Sequence, residues 1–307
     1  MVSVFNKDGG WGAGAGHPAV FPLTDGASRL DAHRVTTTAQ HRRDRHRGLA
    51  AETVTIVGDG GYSVDGARVD VSAQVAAALA GTRLVLPDDE LAPPTPSGTT
   101  AIEVTGESSL AAARRLGSGT GCLVFASARN PGGGFLNGAQ AQEESIARSS
   151  ALYASQLTVP AFYEHHRAER SLLYSDHVIV SPDVPVFRSD DGALLAAPHL
   201  VTFLTAAAPN RGATANNQPE ALPLIAETLA RRAARVLDVA AAHGCRRLVL
   251  GAWGCGVFRN DPAEVAAAFG TALAGRAGWF DQVVFAVLDH AQESPTRAAF
   301  VGLATTV

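Results

Sequence analysis

Three cysteines in 307 residues, Cys122, Cys245 and Cys255, are too few and too scattered for a disulfide framework, and none forms a CxxC pair that would suggest structural zinc. Surplus positive charge is also missing. Lys and Arg number 25 against 29 Asp and Glu, a net charge of -4, so no global basic field draws in sequence-specific nucleic acid. A phosphate-bearing ligand remains open, because a pocket of backbone N–H groups binds anions without extra Lys or Arg. No uncharged apolar run reaches membrane-spanning length, and residues 1–8 lack the apolar core of a signal sequence. The expectation is a cytoplasmic protein with no membrane partner. The ten histidines have no paired spacing such as HExxH, so no metal is expected. Gly106-Glu107-Ser108-Ser109-Leu110 lacks the last glycine of a serine-hydrolase elbow. Gly117-Ser118-Gly119-Thr120-Gly121 leads into a strand instead of a helix, which removes a dinucleotide fingerprint.

What is present is a core: 46% of the residues are hydrophobic, ample for a packed domain. Residues 1–41 carry Gly9-Gly10-Trp11-Gly12-Ala13-Gly14-Ala15-Gly16 without periodicity and read as a flexible extension. Near residue 42 the composition changes. Arg42, Arg43, Arg45 and Arg47 lead into apolar residues at helical spacing, a helix with a solvated basic face. Short apolar runs then alternate with amphipathic stretches. Strands are expected at 62–64, 82–86, 101–105, 122–127, 178–180, 184–187, 200–206, 247–250 and 282–288. Helices are expected at 71–79, 108–116, 145–153, 219–243 and 262–273. Such alternation predicts α/β layers, a largely parallel or mixed sheet covered on both sides, with 42–307 as one domain.

Two glycine loops interrupt the pattern, each after a strand. The first is Asn130-Pro131-Gly132-Gly133-Gly134, followed by Gln142-Glu143-Glu144 at the expected start of a helix. Glycines without Cβ admit positive φ and close approach of a ligand to the main chain. Neighbouring residues on a helix point about 100° apart, so Glu143 and Glu144 share a site but not a task. The second is Gly254-Cys255-Gly256-Val257-Phe258, ahead of Asp261-Pro262 and a helix. In α/β sheets ligands bind at the carboxyl ends of strands, where such loops converge. Two of them can close on one diphosphate, with a carboxylate pair beside the sugar. Cys255, with no histidine nearby in sequence, reads as small apolar filler and not as a nucleophile.

Gly-Gly-Gly, seven residues and Gln-Glu-Glu, within Phe125-Ala126-Ser127-Ala128-Arg129-Asn130-Pro131-Gly132-Gly133-Gly134-Phe135-Leu136, resembles the signature of the bacterial poly(ADP-ribose) glycohydrolases. Gly-Cys-Gly-aliphatic-Phe resembles the second phosphate loop of macrodomains. The resemblance implies a macrodomain-like three-layer α/β/α fold with a mixed central sheet, here with an N-terminal helical elaboration. It implies cleavage of ribose–ribose O-glycosidic bonds of poly(ADP-ribose), mainly from the free end and without a cofactor, on free polymer or ADP-ribosylated proteins, with ADP-ribose as product. Glu144 is then the general acid/base, and Glu143 binds ribose hydroxyls. Asn130, Gly132, Gly133, Gly134, Gln142, Gly254, Cys255, Gly256, Val257 and Phe258 form the substrate site, with Phe258 packing on the terminal ribose. An acid role for Glu144 meets a tension, since a helix N-terminus favours the ionised carboxylate while burial and nearby phosphate favour the neutral one. The rival readings are a mono-ADP-ribosyl hydrolase and a non-catalytic ADP-ribose reader. A nucleotide-sugar phosphatase lacks its metal-binding carboxylate cluster.

Overall fold

The computed structural model describes residues 27–289 and 294–304. The chain falls into two compact units, residues 1–41 and residues 42–307. The glycine-rich stretch 9–16 lies outside the described residues. Helix α1 (Ala27–Asp59) begins well before the change of composition near residue 42. Ala50, Thr53 and Ile56 are buried at helical spacing, while Arg42, Arg43, Arg45 and Arg47 are exposed. The hairpin of β1 (Gly61–Val64) and β2 (Ala67–Asp70) adds a strand the sequence reading lacked. Asp65 and Gly66 at its tip have φ of 50° and 80°, the positive values of a two-residue I′ turn. After α2 (Ser72–Gly81) and β3 (Arg83–Val85) comes the four-proline coil. β4 (Ala101–Thr105), α3 (Ser109–Leu116) and β5 (Thr120–Phe125) follow, with Ser108 Oγ capping α3 by accepting from Ala111 N–H.

The helix expected at 145–153 is in fact two, α4 (Gln142–Ser149) and α5 (Leu152–Leu157). Ser150 between them is extended and bridges to Val186, and Ala151 N–H donates to Pro185 O at 3.1 Å. Tertiary pairing overrides local helix propensity there. After α6 (Pro160–Ala168), β6 (Val178–Arg188) is one strand where two extended pieces were expected. A register shift between Ser181 and Val184, with Asp183 at φ 47°, is the bulge that absorbs Pro182. β7 (Leu194–Ala206) starts earlier than expected, and α7 (Arg211–Asn217) is additional. The long helix opens as a 3₁₀ turn at Pro219–Leu224, since Pro223 has no N–H to give, and α8 proper is Ile225–Ala242. β8 (Arg247–Leu250), α9 (Pro262–Ala274) and β9 (Gln282–Ala286) stand where expected, and α10 (Pro295–Val301) closes the described chain.

Seven strands form one mixed sheet in the order β3-β6-β7-β5-β8-β9-β4. β6 is antiparallel to both neighbours, and the pairs β7–β5, β5–β8, β8–β9 and β9–β4 are parallel. Alternation along β5 sends Leu123 into one core and Cys122 and Val124 into the other. Leu229, Val236 and Phe269 of α8 and α9 fill the first; Ile56, Val75, Leu110 and Ile146 of α1 to α4 fill the second. Each fully buried apolar side chain contributes about 1.5–3 kcal/mol. The three-layer α/β/α arrangement follows, and it places the loops after β4, β5, β7, β8 and β9 at one edge.

Candidate active site

β5 is the central strand, and Ala126 just past it still donates to Ala206 O at 3.2 Å. The chain then turns on Ser127, whose Oγ accepts from Asn130 N–H at 3.2 Å. Gly132 and Gly133 take consecutive positive φ, 64° and 59°. This tight wrap turns the loop's amides inward. Gly132 N–H donates to Gln156 Oε1 at 2.7 Å, Gly133 N–H to Asn130 O at 3.0 Å, and Gly134 N–H to Glu144 Oε1 at 2.9 Å. The glycines of this loop therefore shape a seat for carboxylates, in place of the row of free phosphate donors that the sequence reading anticipated. A Cβ on Gly133 would collide with Glu144 Oε1.

The Gln142-Glu143-Glu144 trio opens α4 and divides three ways. Gln142 is held by β5: its Oε1 accepts from Phe125 N–H at 2.9 Å, and its Nε2 donates to Leu123 O at 2.7 Å and Ser109 Oγ at 3.1 Å. Its amide fixes the helix start to the strand. Glu143 is 3% exposed, with Oε2 accepting from Ser127 N–H at 2.7 Å and Oε1 from Gln156 Nε2 at 3.1 Å. Burial pushes its carboxyl up to about 8, and the neighbouring Glu144 adds to the rise against the lowering by those two donors. For this residue burial outweighs the helix terminus. Glu144 is half-buried and uses only Oε1, leaving Oε2 without a protein donor among the described residues.

The second loop leaves β8 beside the first because the two strands are parallel neighbours. A Cβ on Gly251 would press on Ala286 O and Phe125. Buried Trp253 donates Nε1–H to Ala206 O at 3.2 Å, and buried Asn260 donates Nδ2–H to Pro209 O at 2.9 Å. Gly254, φ 72°, passes against that Asn260 amide, where any side chain would clash. Among the described residues, the N–H groups of Gly254, Gly256, Val257 and Phe258 have no protein acceptor. They form a cluster of free donors of the kind that binds anions. Cys255 is half-buried and burial pushes its thiol up to about 12, which removes the thiolate and agrees with a filler role. Val257 is 82% exposed, and the partly buried Phe258 ring lies 6.0 Å from that of Tyr174.

A cavity of about 780 Å³ is lined by Gln142 and Ser145 at the start of α4 and by Cys255 and Gly256 of the second loop. Its walls include neither glutamate and none of the three glycines of the first loop. From outside, α1 closes the first loop: Ala50 packs on Phe135 and Ala147, Thr53 Oγ1 donates to Arg148 O, and a side chain on Gly138 would strike Arg43 O. Gln156, Ser127, Trp253, Asn260 and Tyr174 were given no role in the sequence reading, since their parts come from hydrogen bonds and ring contacts with segments distant along the chain. No three His, Cys, Asp or Glu side chains among the described residues are grouped to hold a metal ion.

Residues 50–189 match the family model for the microbial-type PARG catalytic domain. Poly(ADP-ribose) glycohydrolase from Thermomonospora curvata is 50% identical, with 85% of this chain and 100% of that chain covered at a TM-score of 0.80. The same enzyme bound to the inhibitor ADP-HPD is 49% identical, covering 85% and 99%, with a TM-score of 0.76. Poly(ADP-ribose) glycohydrolase from Deinococcus radiodurans in complex with ADP-ribose is 48% identical, covering 76% and 97%, with a TM-score of 0.69. No curated protein matches the chain. Identity of this level over the whole length of a solved homologue leaves one family, and the chain belongs to it: the microbial-type poly(ADP-ribose) glycohydrolases, with their macrodomain-like fold.

Proposed function

We propose that residues 42–307 hydrolyse the ribose–ribose O-glycosidic bond of poly(ADP-ribose), working from the free end and releasing ADP-ribose, with Glu144 as general acid/base. The observation that carries this is the asymmetry of the pair. Glu143 is buried with both oxygens engaged, whereas Glu144 has Oε1 steadied by Gly134 N–H and Oε2 unengaged. A general acid must first be within reach of the leaving oxygen, and only Glu144 meets that condition.

In the reaction, Glu144 gives its proton to the departing 2′-oxygen as the bond to the anomeric carbon breaks. The sugar passes through an oxocarbenium-like centre, water adds to that carbon, and Glu144 takes the proton water sheds. Glu143, whose carboxyl burial holds well above the ordinary range, binds the ribose hydroxyls and fixes the ring. The unpartnered N–H groups of the second loop hold the diphosphate, which lies against the developing cation. Phe258 packs on the terminal ribose, and the adjoining cavity takes the remainder of the ADP-ribose unit. Asn130 and the three glycines form the opposite wall. No cofactor enters. The working compartment is the cytoplasm; among the described residues no helix is long and apolar enough to cross a membrane.

Incubation with poly(ADP-ribose), with products separated by chain length, tests the reading. Free ADP-ribose is expected, and its rate should survive a chelator. Release of ADP-ribose from singly modified protein, with polymer left intact, would point to the mono-ADP-ribosyl hydrolase instead.

A further inference from the structure

Tyr174 sits outside both glycine loops, yet it is one of four non-glycine residues with positive φ among those described, at 60°. An aromatic residue in this region costs about 1–3 kcal/mol and persists only where the surroundings enforce it. Here they do so on both sides. Leu172 N–H donates to Gln218 Oε1 at 3.0 Å, and Leu172 O accepts from Asn210 N–H at 3.0 Å. Leu173 O accepts from Nη1 of the fully buried Arg232 at 2.9 Å, and the same nitrogen holds Ala207 O at 2.7 Å, just beyond β7. Arg232 Nε in turn donates to Asp176. Ser175 Oγ bridges His166 Nε2 at 2.7 Å and His177 Nδ1 at 2.6 Å. The pinned backbone delivers one ring, and that ring stands against Phe258 at 6.0 Å between centroids, tilted by 47°. The same ring meets His166 edge-on at 5.8 Å. Gly212 N–H, from the segment that follows β7, holds Phe258 O at 2.9 Å.

We infer that Tyr174 is a positioning residue for the glycohydrolase reaction: its strained backbone holds a ring that fixes the tilt of Phe258, and so the seating of the terminal ribose. This rests on the role of Phe258 proposed above. The fastenings of Leu172, Leu173, Ser175 and Asp176 on either side hold the positive φ, and with it the place of the Tyr174 ring against Phe258.

Tyr174→Gly separates the ring from the backbone, because glycine accepts the positive φ without strain. Tyr174→Asn, also tolerant of that region, is run beside it in case the glycine chain folds poorly. Tyr174→Phe keeps the ring. Turnover of poly(ADP-ribose) and affinity for ADP-ribose are measured for each, alone and with Phe258→Ala. Tyr174→Phe should stay within about twofold of the unaltered protein. Tyr174→Gly and Tyr174→Asn should lose about three- to tenfold in kcat, the range of one aromatic pair, with ADP-ribose affinity within about twofold. In the Phe258→Ala background the same changes should cost little more, because residues acting through one another are not additive. Parental kcat in both ring-less variants, alongside a loss in Phe258→Ala, would overturn the inference and leave the proposed function standing. An equal loss in both backgrounds would also overturn it, since Tyr174 would then act without Phe258. A wild-type protein that released no ADP-ribose would instead sink the functional reading on which this one stands.

Discussion

At the residue scale, two adjacent carboxyls acquire different chemistry from their surroundings alone. Glu144→Gln keeps shape and the hydrogen bond from Gly134 N–H but can neither give nor recover a proton. Its turnover should fall by about 10²–10⁴-fold, with ADP-ribose affinity within a few fold. A Glu144→Gln protein with normal turnover would remove the assigned acid. Glu143 carries a pH signature of its own. Burial raises it from the ordinary 4.5 to about 8, so the folded state binds its proton more tightly than the unfolded chain. Its contribution to stability is complete below pH 4.5 and is lost as the pH rises through about 8. Glu143→Gln removes that dependence, although its amide must face Gln156 Nε2 and costs some stability at every pH. Melting temperatures of the two proteins, compared from pH 5 to 8, should shift in favour of Glu143→Gln as the pH rises. Parallel curves would mean that Glu143 is ionised throughout.

At the scale of the element, the two glycine loops look alike in sequence and do different work. The first is a carboxylate seat whose amides are internally bonded, and the second presents unbonded amides. Substitutions in them should separate accordingly. Gly133→Ala forces a side chain into the left-handed region, at about 1–2 kcal/mol, and pushes Glu144 Oε1 away. Its melting temperature should fall by several degrees together with turnover. At Gly256 an added Cβ meets nothing within 4 Å, so Gly256→Val should melt close to the parent. Binding of ADP-ribose should nonetheless weaken, because the new side chain projects where a ligand would lie. Calorimetric melts paired with ADP-ribose titrations distinguish the cases, and a Gly256→Val protein that binds normally would make the second loop a mere turn. The break between α4 and α5 serves the same site. It lets α5 bring Gln156 back to Glu143 and to Gly132 at once.

At the scale of the whole molecule, the sheet order decides that the loops meet. β5 and β8 lie side by side, and β7 flanks β5, so Ala206 receives both Ala126 N–H and the Trp253 indole. Phe258 is backed by Tyr174 and followed at once by Arg259, Asn260 and α9, so no long insertion follows the second loop. On the reading proposed above, a pocket closed in this way admits chain ends only. Early products from long poly(ADP-ribose) should then be almost only ADP-ribose monomers, with rates that follow the number of free ends and not the polymer mass. A time course resolved by length checks this, and abundant mid-length oligomers before monomer would contradict the closed pocket. Phe258→Ala should slow release by loosening the seated sugar.

The α/β class, both glycine loops and the glutamate pair were legible in the sequence because each is a local pattern: period-two and period-3.6 hydrophobicity, or residues a few positions apart. Most strands and the helices α3, α8 and α9 followed from the same periodicities, with ends displaced where a proline or a bulge intervened, as at Pro223 and Asp183. The hairpin at Asp65-Gly66 was locally written too, though only its first strand was read. What the sequence could not state is which of two neighbouring carboxyls is buried. That depends on Gln156, Ser127 and the bridge at Ser150, contacts between segments far apart along the chain. Nor could it state that the amides of Gly132 and Gly134 are occupied while those of Gly256 and Val257 are free, since hydrogen-bond satisfaction is a property of neighbours in space. Sequence thus determined the chemical groups, and tertiary packing determined their protonation, their exposure and the aromatic wall behind Phe258.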